Sequence, residues 1–194
     1  LYDGPASLAR EWQMVNTGAA PTWKAWPDGS VEVQQARTGI GEFDVLTRRT
    51  FGDCFLHLEW LSPPGGNVKD GQRNGNSGVK LMERYELQVM NTPPAPEPPR
   101  FNEAGSIYRQ RPADVNASTG AGTWQSYDVW FTAPKWDTPA GGAPRKAANA
   151  RMTVLWNGVL VHDDAEVKDK TGMSAAEAPG PARILLQSLS LIHI

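Results

Sequence analysis

Short segments rich in β-branched and aromatic residues, separated by prolines and glycines, recur along the whole chain. The segments with strand character span residues 30–34, 43–47, 55–61, 79–90, 126–132, 152–156, 159–162 and 183–187. Breaker-rich stretches separate them, at 63–67, 92–99, 133–144 and 178–181. Many short strands with little helical periodicity between them predict an all-β chain that folds as an antiparallel β-sandwich.

One local signal is sharper than the others. Asn157-Gly158 stands between MTVLW and VLVHD, and this dipeptide favours a two-residue hairpin turn with positive φ at both positions. Helical pattern is brief by comparison, and we predict it only at 7–12 and in a shorter piece at 174–177.

The length of the chain favours one domain. A chain of 194 residues is long enough for one sizeable core and short for two. The proline-rich stretch 92–99 could join two domains, but strand-like sequence of one character lies on both sides of it. We therefore predict a single domain over 1–194 with a long loop at 92–99.

Charge and composition exclude several classes of function. The net charge is −2, from 19 basic and 21 acidic residues, and no basic run is present that would neutralise a phosphate backbone, so no nucleic acid is expected as a partner. No window reaches the roughly 18 uninterrupted apolar residues of a membrane span, so none is predicted. Cys54 is the single cysteine, which excludes an internal disulfide.

The segment 79–90 carries the first candidate site. Its even positions place Arg84, Glu86 and Gln88 on one face of a strand, at intervals of about 6.6 to 7 Å that suit one sugar-sized ligand. A solvated sheet face would show the same alternation. Met82 and Met90 on that face and the flanking Gly75 and Gly78 favour a covered face with close backbone approach.

A second polar and aromatic patch follows in GSIYRQRPADVNAS and GTWQSYDVWF. Tyr108, Gln110, Asn116 and Trp124 combine flat apolar faces with planar hydrogen-bonding groups, which suit the CH face and the hydroxyl edge of a sugar. The alternative is that Trp124 and the nearby Tyr127 are core residues of the sandwich.

Other catalytic arrangements have weaker support. A retaining glycosidase needs two carboxyls about 5 to 5.5 Å apart, and this strand offers Glu86 beside Gln88. His57, His162 and His193 lack the spacing of a zinc site. GNSG at 75–78 lacks the spacing of a nucleophile elbow.

A series of blocks, in order along the chain, resembles one known family. The blocks are LYDG, DVLTRRTFGDCFLHLEW, GNSGV with YELQV, GSIY, PADVNAS, GTWQSYDVWFTAP, VLWNGVLVHDD and GPARILLQ. They are similar to those of the 3-keto-disaccharide hydrolase-like domains, from Leu1 to about Gln187. The resemblance implies the jelly-roll sandwich of concanavalin-type lectins and laminarinase-type glucanases.

The resemblance also implies a chemistry. A ketone at the third carbon of a glycoside acidifies the C2 hydrogen, so that one base can remove it and the C1 substituent is expelled. On this basis Glu86 is the candidate base, and Arg84 or Lys80 is the candidate cation at the enolate oxygen. The candidates for substrate contact are Asn76, Lys80, Gln88, Tyr108, Gln110, Asn116 and Trp124. A divalent metal assists some relatives, but its ligands cannot be assembled from this sequence and no cofactor is certain.

Two departures from the family pattern occur. Asn91 stands where relatives have aspartate, and SLSLIHI follows LLQ where relatives carry a closing strand with a His-Gly corner. We therefore expect a truncated or altered end after about residue 187, with a sheet edge left unpaired. The resemblance and the start LYDG predict a periplasmic or extracellular location. A sandwich that binds glycans without turnover is the competing hypothesis.

Overall fold

The computed structural model describes residues 1–34, 41–64 and 75–194. In these ranges the chain forms one short helix, α1 (Pro5–Glu11), and thirteen strands. The strands are β1 (Trp12–Met14), β2 (Lys24–Ala25), β3 (Val31–Glu32), β4 (Val45–Thr47), β5 (Cys54–Leu61), β6 (Ser77–Leu81), β7 (Tyr85–Val89), β8 (Trp124–Thr132), β9 (Lys135–Asp137), β10 (Arg145–Ala148), β11 (Ala150–Trp156), β12 (Val159–Val167) and β13 (Leu185–Leu186).

Two antiparallel sheets form the body of the protein, which confirms the predicted β-sandwich. The five-stranded sheet has the order β1-β4-β13-β6-β7, and the four-stranded sheet has the order β12-β11-β8-β5. Strands from both sides of the 92–99 loop share the five-stranded sheet.

Aromatic side chains join the two sheets. The Tyr85 ring of β7 lies 5.6 Å from the Phe131 ring of β8, centroid to centroid. The Tyr127 hydroxyl donates to the Gln88 carbonyl at 2.8 Å, and the Tyr127 ring packs between Trp60 and Trp156. Each of these aromatic side chains is buried. Burial of this much apolar surface is the main stabilising contribution to the sandwich.

The prediction of one strand over 79–90 is wrong. The chain reverses at Met82–Arg84, where φ is 54° at Met82 and 62° at Glu83, and the Arg84 N–H donates to the Leu81 carbonyl at 3.0 Å. The three-residue turn leaves even-numbered residues on the same face of the sheet in both strands. The alternation of apolar and polar residues therefore continues through the turn and does not reveal the reversal. The result is a hairpin in which Lys80 pairs with Glu86 and Gly78 pairs with Gln88.

This register aligns one residue from each strand across the five-stranded sheet. The row runs Gln13, Leu46, Leu185, Lys80, Glu86. Residues directly opposite each other on paired strands share a face, so the row lies on one side of the sheet. Val79 and Leu87 point to the other side, into the core.

Residues 192–194 lie between β3 and β5. His193 forms antiparallel bridges with both Glu32 and Leu61, and its N–H and carbonyl both bond to Leu61. Ile192 is fully buried. The SLSLIHI end therefore pairs with the chain at Glu32 and Leu61.

Smaller differences concern turns and short strands. The stretch 133–144 is not only a breaker, since β9 begins at Lys135 and pairs with β10. Residues 174–177 form no helix, because their backbone is tied instead to the β6–β7 turn, with the Ala175 N–H donating to the Glu83 carbonyl at 3.1 Å. The predicted helix at 7–12 is found two residues earlier, where Pro5 suits its first turn.

The Asn157-Gly158 hairpin is confirmed, with φ of 52° and 78°, and it gives a stability prediction. The Asn157 side chain donates to the Ala117 carbonyl and accepts from the Ser126 N–H, both at 2.8 Å. Asn157→Ala should lower the free energy of unfolding by about 2 to 3 kcal/mol, since it loses both bonds and strains the positive φ. Asn157→Gly removes the same bonds without the strain, so it should cost about 1 kcal/mol less. Equal losses in urea titrations would contradict this division.

Candidate functional site

A cavity of about 970 Å³ opens on the face of the five-stranded sheet that carries the Lys80 and Glu86 row. Its polar lining includes Asp44, Asn76, Lys80, Glu86, Gln88 and Gln187. Each of these residues is buried. The predicted polar face is therefore covered and lines a cavity, and it is not an open sheet surface.

Lys80 and Glu86 face each other at the centre of this floor. The Lys80 Nζ lies 3.6 Å from the Glu86 Oε2, and the two side chains are 8% and 5% exposed. Opposite charges taken out of water together attract strongly, but each loses its hydration. Attraction between the charges offsets this loss of hydration, and the β6–β7 register, which pairs Lys80 with Glu86, keeps the two side chains together.

The pKa of Glu86 is raised from 4.5 to about 7, first of all by burial of the carboxyl group. The Lys80 ammonium opposes this shift, the Asp44 carboxyl adds to it, and the Arg109 cation lowers it. A carboxyl group with a pKa near neutrality can both accept and release a proton at working pH. Glu86 thus has the property of a general base.

Asp44 brings a further carboxyl group into the cavity, in addition to those of Glu86 and Glu83. Burial raises its pKa, although its Oδ1 accepts hydrogen bonds from the Ser188 N–H at 2.7 Å and the Ser188 hydroxyl at 3.0 Å. These bonds tie β4 to the chain that follows β13. Asp44 therefore shapes the wall of the cavity as well as its charge.

Gly78 lets the polar side chains approach one another. A Cβ at this position would lie 2.5 Å from the Gln187 Oε1 and 2.8 Å from the Glu86 Oε1. Contacts this short do not occur in real structures, so any larger residue would displace one of the two side chains. The close approach expected at this glycine is therefore that of an amide and a carboxyl group.

The segment after β12 covers the outer edge of β7. The Glu86 N–H donates to the Thr171 Oγ1 at 2.9 Å, and the same hydroxyl donates to the Arg84 carbonyl at 2.9 Å. Met173, Ser174 and Ala175 then form part of the cavity wall. Met173 is 83% exposed, which places an apolar side chain at the mouth.

The other predicted site residues are divided between the cavity and the rest of the surface. Tyr108 and Asn76 line the cavity. Arg84 belongs to the hairpin turn instead, and its Nε donates to the Ala176 carbonyl at 2.7 Å. Because the structure places Arg84 outside the described lining of the cavity, the geometry favours Lys80 as the cation at the reacting group.

Three predicted contacts lie elsewhere. Gln110 is exposed and bonds to the Asp169 carbonyl and the Lys168 N–H. Asn116 bonds to the Pro93 carbonyl and the Ser118 N–H, so it holds the 92–99 loop. Trp124 is 43% exposed at the start of β8, in the other sheet. Tyr127, by contrast, is a core residue.

Sequence reasoning missed Asp44 and Gln187. Both stand in blocks that carry the family resemblance, DVLT and LLQ, which was the available signal. Strand alternation alone could not assign them to the site, because they come from β-strand ends far apart in sequence. Because β13 lies between β4 and β6, Gln187 is next to Gly78 and Asp44 is next to the chain that follows β13.

A second cavity, of about 860 Å³, lies beside β5. Its lining is mainly apolar and includes Leu56, Leu58 and Trp124. The titratable His57 and Glu59 there have half or more of their side chains exposed, and His57 pairs with Asp128. It lacks the converging buried polar groups of the first cavity, so it is the weaker candidate.

The described residues do not fit a metal centre. Among them, no three His, Cys, Asp or Glu side chains come together in a way that could hold an ion. The reaction considered below therefore uses no step through a metal. In the same parts of the chain, no helix has the length and apolar character required to cross a membrane.

The raised pKa of Glu86 predicts a fall in stability with rising pH. Between pH 4.5 and about 7 the folded chain holds the Glu86 proton more tightly than the unfolded chain. Protonated Glu86 therefore adds up to about 3 kcal/mol to the free energy of unfolding. This contribution is fully present below pH 4.5 and is lost as the pH rises through about 7. Urea titrations at several pH values should show this fall.

Removal of the pair should flatten the pH dependence. Glu86→Gln alone would leave Lys80 buried without its carboxylate, so the matched comparison is the double variant Lys80→Met/Glu86→Gln. A slope that stays unchanged in the double variant would show that the carboxyl group titrates as an ordinary exposed one. Asp44, whose pKa is also raised, retains its own contribution in both chains.

Comparisons with known proteins agree with this architecture. The chain is similar to a provisionally assigned glycosyl hydrolase from Parabacteroides distasonis, with 30% identity, a TM-score of 0.79, and coverage of 100% of this chain and 78% of the other. Two further provisionally assigned glycosyl hydrolases of that organism share the fold. One has 13% identity, a TM-score of 0.61 and coverage of 95% and 84%. The other has 18% identity, a TM-score of 0.51 and coverage of 88% and 85%.

A search of curated proteins gives no match. The sequence pattern of the 3-keto-alpha-glucoside-1,2-lyase-like domain, in contrast, matches residues 1–190. This match spans both sheets and every described polar residue of the cavity floor. The protein is therefore carbohydrate-active, and the chain belongs to the family of 3-keto-alpha-glucoside-1,2-lyase-like domains.

Proposed function

We propose that this protein cleaves 3-keto-glycosides by removing the C2 proton and expelling the C1 substituent, after which water adds to the product. The observation that carries the proposal is one buried carboxyl group, Glu86, with a pKa of about 7 and a lysine ammonium 3.6 Å away. The family match supports the choice of substrate.

The ketone explains why a single base suffices. A C–H bond next to a carbonyl group is far more acidic than one in an ordinary sugar, because the electron pair it leaves spreads onto the carbonyl oxygen. The enzyme then needs a base near the C2 hydrogen and a cation near the C3 oxygen. Glu86 and Lys80 provide these two groups on neighbouring strands.

In the first half of the reaction, the Glu86 carboxylate takes the C2 proton. The C–H electron pair forms the C2–C3 double bond of an enolate, whose oxygen is stabilised by the Lys80 ammonium. Collapse of the enolate restores the C3 carbonyl group, forms the C1–C2 double bond and breaks the C1–O bond. Glu86 returns its proton to the departing oxygen, so an alcohol leaves.

In the second half, water adds across the enone. The water oxygen bonds to C1 while Glu86 takes a proton from the water. The enolate that forms again lies beside Lys80. Return of that proton to C2 completes the addition. The sum of both halves is hydrolysis of the glycoside, with Glu86 and Lys80 regenerated.

The structure also gives a second candidate, a glycosidase with two carboxyl groups. Glu86 is joined in the cavity by Asp44, which the strand pattern alone did not offer. In such an enzyme one carboxyl group with a raised pKa acts as the acid, while the other must be ionised to act as base or nucleophile. This candidate is weaker because Asp44 Oδ1 already accepts two bonds from Ser188.

A deuterium label at C2 separates the two reactions. Elimination breaks the C2–H bond and should show a primary isotope effect with a C2-deuterated 3-keto-glucoside. Hydrolysis by two carboxyl groups leaves that bond intact and should show none. A periplasmic or extracellular location stays a prediction.

Glu86→Gln should lower turnover of a 3-keto-glucoside with a chromogenic leaving group by about 10² to 10⁴, since it removes the base. In the unsubstituted protein, kcat/KM should rise with pH until Glu86 is ionised, near pH 7, and then level off. Release of the chromophore, corrected for the rate without enzyme, measures both.

The same variant tests the binding-module hypothesis. If neither chain releases the chromophore and both bind an ordinary oligosaccharide equally well, the site holds glycans without turnover. Retained turnover in Glu86→Gln would instead remove Glu86 from the mechanism.

Lys80→Met should lower kcat by about 10² to 10³ by removing the cation at the enolate oxygen. It should also move the midpoint of the pH–rate profile above 7, because the Lys80 ammonium lowers the pKa of Glu86. Arg84→Met is the matched control, since it removes a buried cation outside the described cavity lining. A large loss in Arg84→Met with normal turnover in Lys80→Met would assign the role to Arg84.

A further inference from the structure

We propose that the side-chain oxygens of Gln88 and Gln187 accept hydrogen bonds from two hydroxyl groups of the sugar and so set which carbon may carry the ketone. This inference rests on the proposed function and concerns how the same cavity selects and orients its substrate. It makes Gln187, which the sequence did not single out, a specificity-determining residue.

The Gln88 side chain has a fixed orientation. Its Nε2 donates to the Asn76 Oδ1 at 2.6 Å and also approaches the Val89 carbonyl at 3.4 Å. With the amine side committed to protein oxygens, the Oε1 points the other way. That oxygen is buried and has no hydrogen-bond partner among the described residues.

The Gln187 side chain presents a second such oxygen. Its Oε1 is also buried without a partner in the described parts of the chain, and the residue as a whole is 6% exposed. It lies above Gly78, 2.5 Å from the point where a Cβ would stand, and the Glu86 Oε1 is 2.8 Å from the same point. The Gln187 oxygen is therefore next to the proposed base.

An unpaired buried carbonyl oxygen needs a donor. Leaving such a group unpaired costs about 1 to 3 kcal/mol, so a ligand that supplies O–H groups at both positions binds better than one that cannot. A sugar hydroxyl can donate, whereas a ketone oxygen can only accept.

The difference between donors and acceptors orients the ring. A ketone placed against Gln88 or Gln187 would set two acceptors against each other, while the Lys80 ammonium has only donors. The ring therefore binds with its carbonyl oxygen toward Lys80 and its hydroxyl groups toward the two amides. In this orientation the hydrogen next to the ketone faces the row that contains Glu86.

The test uses a ligand that binds but cannot react. The ligand 3-keto-1,5-anhydroglucitol has no substituent at C1 to expel, and its 2-deoxy, 4-deoxy and 6-deoxy analogues each lack one hydroxyl group. Calorimetric titration of the unsubstituted protein should show two of the three analogues binding about tenfold to hundredfold more weakly than the parent ligand.

Gln187→Met keeps the length of the side chain but removes the oxygen acceptor. It should abolish the penalty for one deoxy analogue and leave the other intact. Gln34→Met, which alters an amide outside the described cavity lining, should change neither. Equal weakening of all ligands by Gln187→Met, or no penalty for any deoxy analogue, would overturn the proposal.

Gly78→Ala provides a second route if Gln187→Met folds poorly. The added methyl group would lie 2.5 Å from the Gln187 oxygen and 2.8 Å from the Glu86 oxygen, so both side chains must shift, and the penalty that depends on the Gln187 oxygen should disappear. Gly52→Ala is its matched control, because a Cβ there meets nothing within 4 Å. If every deoxy analogue that binds weakly to the unsubstituted protein also binds weakly to Gly78→Ala, relative to the parent ligand, the result would count against the proposal.

Turnover separates this inference from the proposed function. A protein that cleaves 3-keto-glucosides with a C2 isotope effect but ignores the deoxy substitutions has the proposed function without the proposed selection. A protein that neither cleaves them nor binds the anhydro ligand lacks both.

Discussion

The register of the β6–β7 hairpin is the constraint on which the site depends. A three-residue turn at Met82–Arg84 places Lys80 opposite Glu86 on adjacent strands. A change of register by one residue would turn one of these side chains into the core and leave a charge without a partner. The turn therefore decides the chemistry of the cavity, although none of its atoms takes part in the proposed reaction.

Burial gives this pair its reactivity and also makes it costly. Desolvation raises the pKa of Glu86 to about 7, and Lys80 prevents a larger rise. The backbone around the pair is well satisfied, since Thr171 bonds to both Glu86 and Arg84. Among the described residues that line the cavity, Gln88 and Gln187 have buried side-chain oxygens without a hydrogen-bond partner. Buried polar atoms without a described partner also occur in the core, as at the Trp60 Nε1, whereas the core hydroxyls of Tyr85 and Tyr127 are paired.

Sequence reasoning was most successful where the signal is local. The Asn157-Gly158 turn, the strand character of 126–132 and 152–156, and the polar parity of Lys80, Glu86 and Gln88 all follow from residues within one or two strands. It failed at the Met82–Arg84 reversal, because a turn without glycine or proline that keeps the parity leaves the alternation intact. It also placed Gln110, Asn116 and Trp124 in the site from their side-chain chemistry and the family resemblance, and neither says which surface a loop covers.

The all-β class, the two faces of the segment around Glu86 and the family can all be read from the amino-acid sequence alone. These properties depend on the alternation of apolar and polar residues, on turn residues and on the order of sequence blocks, all of which are local features of the sequence. The folded chain was needed to show that Lys80 lies beside Glu86 while Arg84 belongs to the turn, that Asp44 and Gln187 line the same cavity, and that this face is covered. Sheet order and burial arise from contacts between distant segments, and burial is the main cause of the raised pKa of Glu86.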